Sequence, residues 1–307
     1  VKRKKISSGF IAKVMVVCLT VAVSSLFIPL QGGLSNKVYA AEQPEKATWL
    51  WNTYSIWKEK DKTLDFLSHN SVTLLYLQID ADIPGDVYRT FISEASDRGI
   101  EVHALGGAPD WVLPEHQDRL YQFVHWVNAY NNSVRPVERF NGIHLDVEAH
   151  VLSQFKSDQD KVLGLWMDTV SGFVDEVKSE NPHLTTGADL PVWLHRFDVR
   201  DGHGGRTTLS NWMFGKLDQV TLMAYIDNAQ GIIQACSTPL DEAAKNGKPV
   251  IVAVETMNND EENSSFYAKG KASMMRELDT VNRTLSSSLS FSGEAIHNYE
   301  SWSALKE

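Results

Sequence analysis

The spacing of apolar side chains along the chain switches repeatedly between two periods. Short runs rich in β-branched and aromatic residues lie at 48–53, 72–80, 100–106, 140–148, 184–190, 218–226, 249–255 and 290–298. Longer segments with apolar residues every three or four positions lie near 58–69, 84–98, 115–132, 158–180, 208–215, 237–246 and 264–287. The first pattern predicts strands and the second helices. Turn residues separate them: "DRG" before the third strand, "NP" before the fifth, "NGKP" before the seventh. The strands are nearly continuous in apolar residues and alternate with helices, as in a parallel sheet covered by helices. Eight such units in roughly 260 residues predict an α/β fold, a closed (β/α)8 TIM barrel in a single domain over 41–307. A doubly wound open sheet would use fewer strands, and no Gly-rich phosphate loop follows the first one.

The fourth strand segment, "FNGIHLDVEAH" at 140–150, begins apolar and ends in acids. Alternation along a strand places His144, Asp146 and Glu148 on one face. In a (β/α)8 barrel the C-terminal strand ends form the active-site face. The other ends are polar too: Asp80, Asp189, Tyr225 with Asp227, Glu255, and His297 with Tyr299 and Trp302. Carboxylates gathered at one mouth raise each other's pKa and create a proton donor near neutral pH. Tryptophans recur at the same ends: Trp49, Trp51, Trp111, Trp193 and Trp302. A single Trp is as well explained by packing. As a set they offer flat faces for the CH faces of sugar rings, and paired acids with Trp suit glycosidic bond hydrolysis. The catalytic candidates are therefore Glu148, Asp146 and Glu255. The substrate-binding candidates are Trp51, Asp80, Asp189, Trp193, Tyr225, Asp227, His297, Tyr299 and Trp302. Glu294 is expected to face the helices, His103 to lie in the core or rim, and "RDGHGG" at 200–205 to be a flexible loop near the site.

"NGIHLDVE" resembles the strand-four signature D-G-x-D-x-D-x-E of glycoside hydrolase family 18, the chitinase-like barrels. Asn141 and His144 replace its first two acids, and Asp146 and Glu148 match its last two. "MAYID" at 223–227 resembles that family's Met-x-Tyr-Asp, with one extra residue before Asp227. Trp302 stands where the family has a strand-eight Trp. The resemblance implies Glu148 as proton donor with Asp146 as its partner, and Tyr225 and Asp227 as groups that hold a substrate acetamido. A second resemblance is to retaining glycosidases with acids on strands four and seven. It implies Glu148 as donor and Glu255 as nucleophile, although Val147 stands where those enzymes have Asn.

The first 40 residues change the picture of where the protein works. A basic start, "VKRKK", precedes a long apolar stretch, and "VYA" before "AE" reads as a small-residue cleavage site after Ala40. This predicts a signal peptide over 1–40; an uncleaved anchor is the rival reading. Cleavage would remove six of the 29 basic residues and none of the 39 acidic ones, taking the net charge from −10 to −16. So acidic a body repels nucleic acid and anionic membranes. One cysteine, Cys236, would remain, which excludes an internal disulfide and leaves stability to the core. The expected protein is a secreted monomer, extracellular or wall-associated, with a carbohydrate substrate and no stable membrane association. Without an HxH or HExxH pattern, no metal or cofactor is expected. Two other readings remain open: a carbohydrate-binding barrel that has lost catalysis, and a metal-dependent hydrolase using His144, Asp146 and Glu148. N-terminal sequencing of secreted protein should begin near Ala41; a full-length membrane-bound product would contradict the export reading.

Overall fold

The computed structural model describes residues 44–307, so the export segment at 1–40 lies outside the described residues. Eight parallel strands close into a barrel: β1 (Glu45–Leu50), β2 (Leu74–Gln78), β3 (Glu101–Gly106), β4 (Gly142–Leu145), β5 (Thr185–Pro191), β8 (Gln219–Met223), β9 (Val250–Glu255) and β10 (Phe291–His297). The remaining two, β6 (Asp198–Arg200) and β7 (Arg206–Thr208), form an antiparallel hairpin outside the ring. The circle closes where β1 pairs with β10, from Glu45 opposite Gly293 to Thr48 opposite Ile296. The (β/α)8 barrel read from the sequence is the observed fold.

The strand "VIVAVE" explains why alternation and continuity coexist. Val250, Val252 and Val254 pack outward under the helices, while Ile251 and Ala253 point into the barrel. Both faces are buried, so both must be apolar. The outer layer joins Leu50, Leu75, Val102, Ile143, Leu190 and Leu222 to the helices. The inner one holds Ala47, Trp49, Leu74, Tyr76, Leu105 and Ala295. Removing one such Leu or Val from water is worth about 1.5–3 kcal/mol. Glu294 does face outward, where Lys46 at 3.0 Å and Asn282 at 2.6 Å meet its carboxylate.

Local chemistry accounts for the departures from the sequence reading. The first helical stretch is two helices, Tyr54–Lys58 and Lys60–His69. The helix expected at 237–246 runs from Ala229 to Asn246. Asn228 caps it through Gly231 N, and Pro239 lies inside, where it forfeits one backbone bond without ending the helix. The last long helix starts at Lys271 because residues before it fold back, with Phe266 N bonding Glu255 O at 2.9 Å. The "RDGHGG" segment is the tip of the β6–β7 hairpin, held by Asp201 accepting from His203 N and Gly205 N.

Tyr299 and Trp302 belong to the packing and not to the mouth. The chain after β10 turns into a short helix, Tyr299–Ser303, capped by Asn298. Its inner face meets Phe66 edge-on, 5.2 Å from Tyr299 and 5.1 Å from Trp302. Trp302 is 2% exposed. Trp302→Ala should cost about 3–5 kcal/mol of stability. Trp302→Phe should retain most of it, because the indole N–H has no partner. Denaturant midpoints of the two variants check this.

Candidate active site at the C-terminal strand ends

Strand β1 sends two indoles into the barrel, two residues apart. Trp49 Nε1 donates to Asp189 Oδ2 at 3.0 Å, deep in the interior. Trp51 Nε1 donates to His297 Nε2 at 3.0 Å, nearer the mouth. Because Nε2 accepts, the His297 proton sits on Nδ1, which points at Glu255 Oε2 3.0 Å away. The other Glu255 oxygen accepts from Thr256 N and Met257 N, each at 2.7 Å. Glu255 is thus held by three donors in a 6% exposed position behind His297.

Strand β4 ends at Leu145, but its alternation persists. Asp146 N still bonds Gly106 O at 3.1 Å, and Glu148 starts the turn Ala149–Val151. This close passage requires Gly107, since a Cβ there would come within 2.1 Å of the Asp146 carbonyl. Asp146 Oδ1 is buried without a hydrogen-bond partner. Burial first, then the charges of Asp189 and Glu148, hold the Asp146 carboxyl well above its ordinary range. Glu148 is also raised, by burial and by Asp189, with His297 opposing. Its side chain is 33% exposed, and Oε1 lies 3.7 Å from His150 Nε2.

Tyr225 sits beside His297, ring centroids 5.8 Å apart. Burial and the surrounding charges of Asp189, Glu255, Asp146 and Glu148 push its phenol well above the usual value. Four acids from three strands therefore converge, and Tyr225 remains a hydrogen-bond donor among them. Over them opens a cleft of about 590 Å³ lined by Trp51, Asn52, Asp146, Glu148, Met257 and His297. A half-buried acid whose pKa is raised, set beside an aromatic wall, is suited to protonate a leaving oxygen.

Of the residues expected here, Glu148, Asp146, Trp51 and His297 line the cleft, while Glu255, Tyr225 and Asp189 stand behind or beneath it. Others lie elsewhere. Asp80 caps its own turn, accepting from Asp82 N at 2.9 Å. Asp227 is ion-paired with Lys269 at 2.7 Å. Trp193 packs against His150 and Phe197 and lines a different pocket, with His195 and Arg196. These residues follow the last paired strand positions, where the alternation that directs side chains inward has ended. His103 is buried inside the barrel, where burial and His144 push it down to about 3. Sequence reasoning missed Asn52, Met257, Asn298, Glu300 and Ser301 at the cleft. Only the cap pattern Asn298-x-x-Ser301 offered a signal. Among the described residues, His125, Glu176 and Glu180 bring three ligand atoms within 4.8 Å, on the outer helices.

No protein-family profile matches the chain, and no curated protein matches it. Solved structures do. A family 18 chitinase from Cycas revoluta in complex with (GlcNAc)3 is 12% identical, with a TM-score of 0.51 over 84% of this chain and 95% of that one. The same plant's enzyme in complex with allosamidin gives 13% and 0.52, with the same coverage. A chitinase from Chromobacterium violaceum gives 12% and 0.51, over 85% of this chain and 98% of its own. At such identities the likeness is one of fold: the protein has the barrel of the family 18 glycoside hydrolases.

A carboxyl whose folded pKa is raised stabilises the fold below its unfolded pKa, and that contribution is lost as pH rises through the folded value. Asp146→Asn should therefore gain stability relative to the parent as pH rises. Thermal melts from about pH 3 to about pH 8 should show the gap widening; a constant gap would refute the raised carboxyl.

Proposed function

We propose that the protein is a secreted glycoside hydrolase acting on an extracellular polysaccharide built from acetamido sugars, with Glu148 as proton donor. The observation that carries this reading is the half-buried Glu148 at the cleft, its pKa raised by burial and by Asp189, with Asp146 behind it and Trp51 beside it. The chitinases that share the fold, one of them in complex with (GlcNAc)3, support the substrate class. The basic, apolar and "VYA" segments support export.

The partner of Glu148 is the substrate itself. Glu255 has three donors already in place and stands behind His297, outside the cleft lining, so it is poorly placed to aim a nucleophile at the anomeric carbon. That favours attack by the substrate's acetamido oxygen, the substrate-assisted exception among retaining glycosidases. As the glycosidic oxygen takes the Glu148 proton, the C1–O bond breaks and the acetamido oxygen closes on C1, giving an oxazolinium. Asp146 orients the acetamido N–H, and the Tyr225 phenol donates to its carbonyl oxygen. Water attacks C1, gives its proton to Glu148 and reopens the ring. The rival four/seven mechanism requires Glu255 to leave its three donors.

A carbohydrate-binding barrel without turnover is the second reading, favoured by the imidazole of His144 where the strand-four signature has an acid.

General acid catalysis is worth about 10²–10⁴ in rate. Glu148→Gln should lower turnover of chito-oligosaccharides by about that factor and leave their binding, read by Trp fluorescence, intact. Substrates with activated leaving groups should lose less. Near-normal turnover of an unactivated substrate would remove Glu148 from the mechanism. Fluorescence quenching without hydrolysis by the parent would favour the binding barrel, and a glycosyl adduct on Glu255 would restore the four/seven mechanism.

A further inference from the structure

Position 144 is an imidazole where the strand-four signature has an acid, and the neighbouring strand carries an acid one layer nearer the mouth. In the β4–β5 register His144 stands opposite Gly187 and Leu145 opposite Ala188. One step further, Asp146 lies level with Asp189, both aimed into the barrel. Asp189 is 2% exposed. One of its oxygens accepts from Trp49 Nε1; the other lies 3.0 Å from His144 Nε2, outside good hydrogen-bond geometry. The imidazole cannot move far. It stacks on Tyr76 at 3.9 Å, and Tyr76 is tied to Thr221 by a 2.7 Å hydrogen bond. On its other flank Gly187 leaves just enough room, since a Cβ there would come within 2.6 Å of His144 Nδ1.

We propose that Asp189 is a positioning residue of this site: paired with His144, it supplies from strand β5 the buried negative charge that the signature carries at position 144, and holds it beside Asp146 and Glu148. Its meaning for catalysis rests on the reading of Glu148 as proton donor; the electrostatic arrangement does not.

Titratable groups bear on Asp189 from both flanking strand segments, His144, Asp146 and Glu148 of β4 and Tyr225 beyond β8, and from across the barrel, Tyr76 of β2. Glu255 and His297 close the ring. Burial is the larger influence on Asp146, Glu148, Tyr76 and Tyr225, and the leading charge acting on each is that of Asp189. All four are pushed toward their protonated forms. His144 reaches Asp189 through a single nitrogen. An acid at 144 in place of the imidazole, with Asp189 kept, would set four carboxylates on two adjacent strand segments. The imidazole at 144 and the acid at 189 are thus one coupled choice.

The test is a ¹³C titration of the Asp146 and Glu148 carboxyls in the full-length folded protein. Removing a nearby like charge makes a carboxyl easier to ionise, so Asp189→Asn should lower both midpoints by about one unit or more. The double variant His144→Asp/Asp189→Asn restores one carboxylate and should return both toward the parent values. With a hydrolysable substrate, the basic limb of the pH–rate profile should move down in the single variant and back in the double. Midpoints unchanged in a folded Asp189→Asn protein would overturn the proposal. Should that variant not fold, midpoints in the double variant far below the parent values would overturn it equally. If no sugar is hydrolysed, the titration still decides the matter, so failure of this inference and failure of the glycosidase reading are distinguishable.

Discussion

Closure of eight parallel strands into a ring sends every second side chain into one narrow shaft. A charge buried in that shaft is expensive unless something answers it. Low in the shaft Gln219 donates to Glu45 at 3.0 Å, Tyr76 pairs with Thr221, and burial pushes His103 down to about 3. The upper shaft meets the constraint with a small set of polar side chains whose pairings are nearly all visible: indole to carboxylate, indole to imidazole, imidazole to carboxylate. The rest of the site follows from which acids receive donors and which do not.

Two outcomes divide the acids. Glu255 has donors on both oxygens and fixes His297, which in turn fixes Trp51 at the wall of the cleft. Asp146 has a buried oxygen with no donor, and burial raises its pKa well above the ordinary range. Glu148 lies at the rim, shielded enough to be raised and open enough to meet a ligand. A residue with the same formula thus serves as scaffold on one strand and as acid on another. The cause lies in the donors that each strand end brings to it.

The polar segments beyond the strands contribute differently. Where the ladder stops, side chains follow local turns. Asp80 bonds its own turn, Asp227 pairs with Lys269, and Tyr299 with Trp302 closes the helix layer over Phe66. These residues stabilise the rim that carries the cleft. The segment after β10 takes part in both: its helix buries Trp302, while Asn298, Glu300 and Ser301 face the opening.

The sequence by itself determined the barrel. Periodicity is a local property, and "VIVAVE" or "HALG" has one solution once both faces must be buried. It also determined that Asp146 and Glu148 share a face with His144, because alternation needs only the strand. Tertiary structure decided what those acids are. The hold on Glu255 depends on His297, forty-two positions away, and on two backbone donors created by its own turn. The Asp189 contact with Trp49 spans 140 positions. No short window contains both partners of such a pair, and protonation depends on the pair. Likewise, whether Trp302 faced a ligand or Phe66 depended on where the ladder stopped, and that is set by how the strand ends meet their neighbours across the ring.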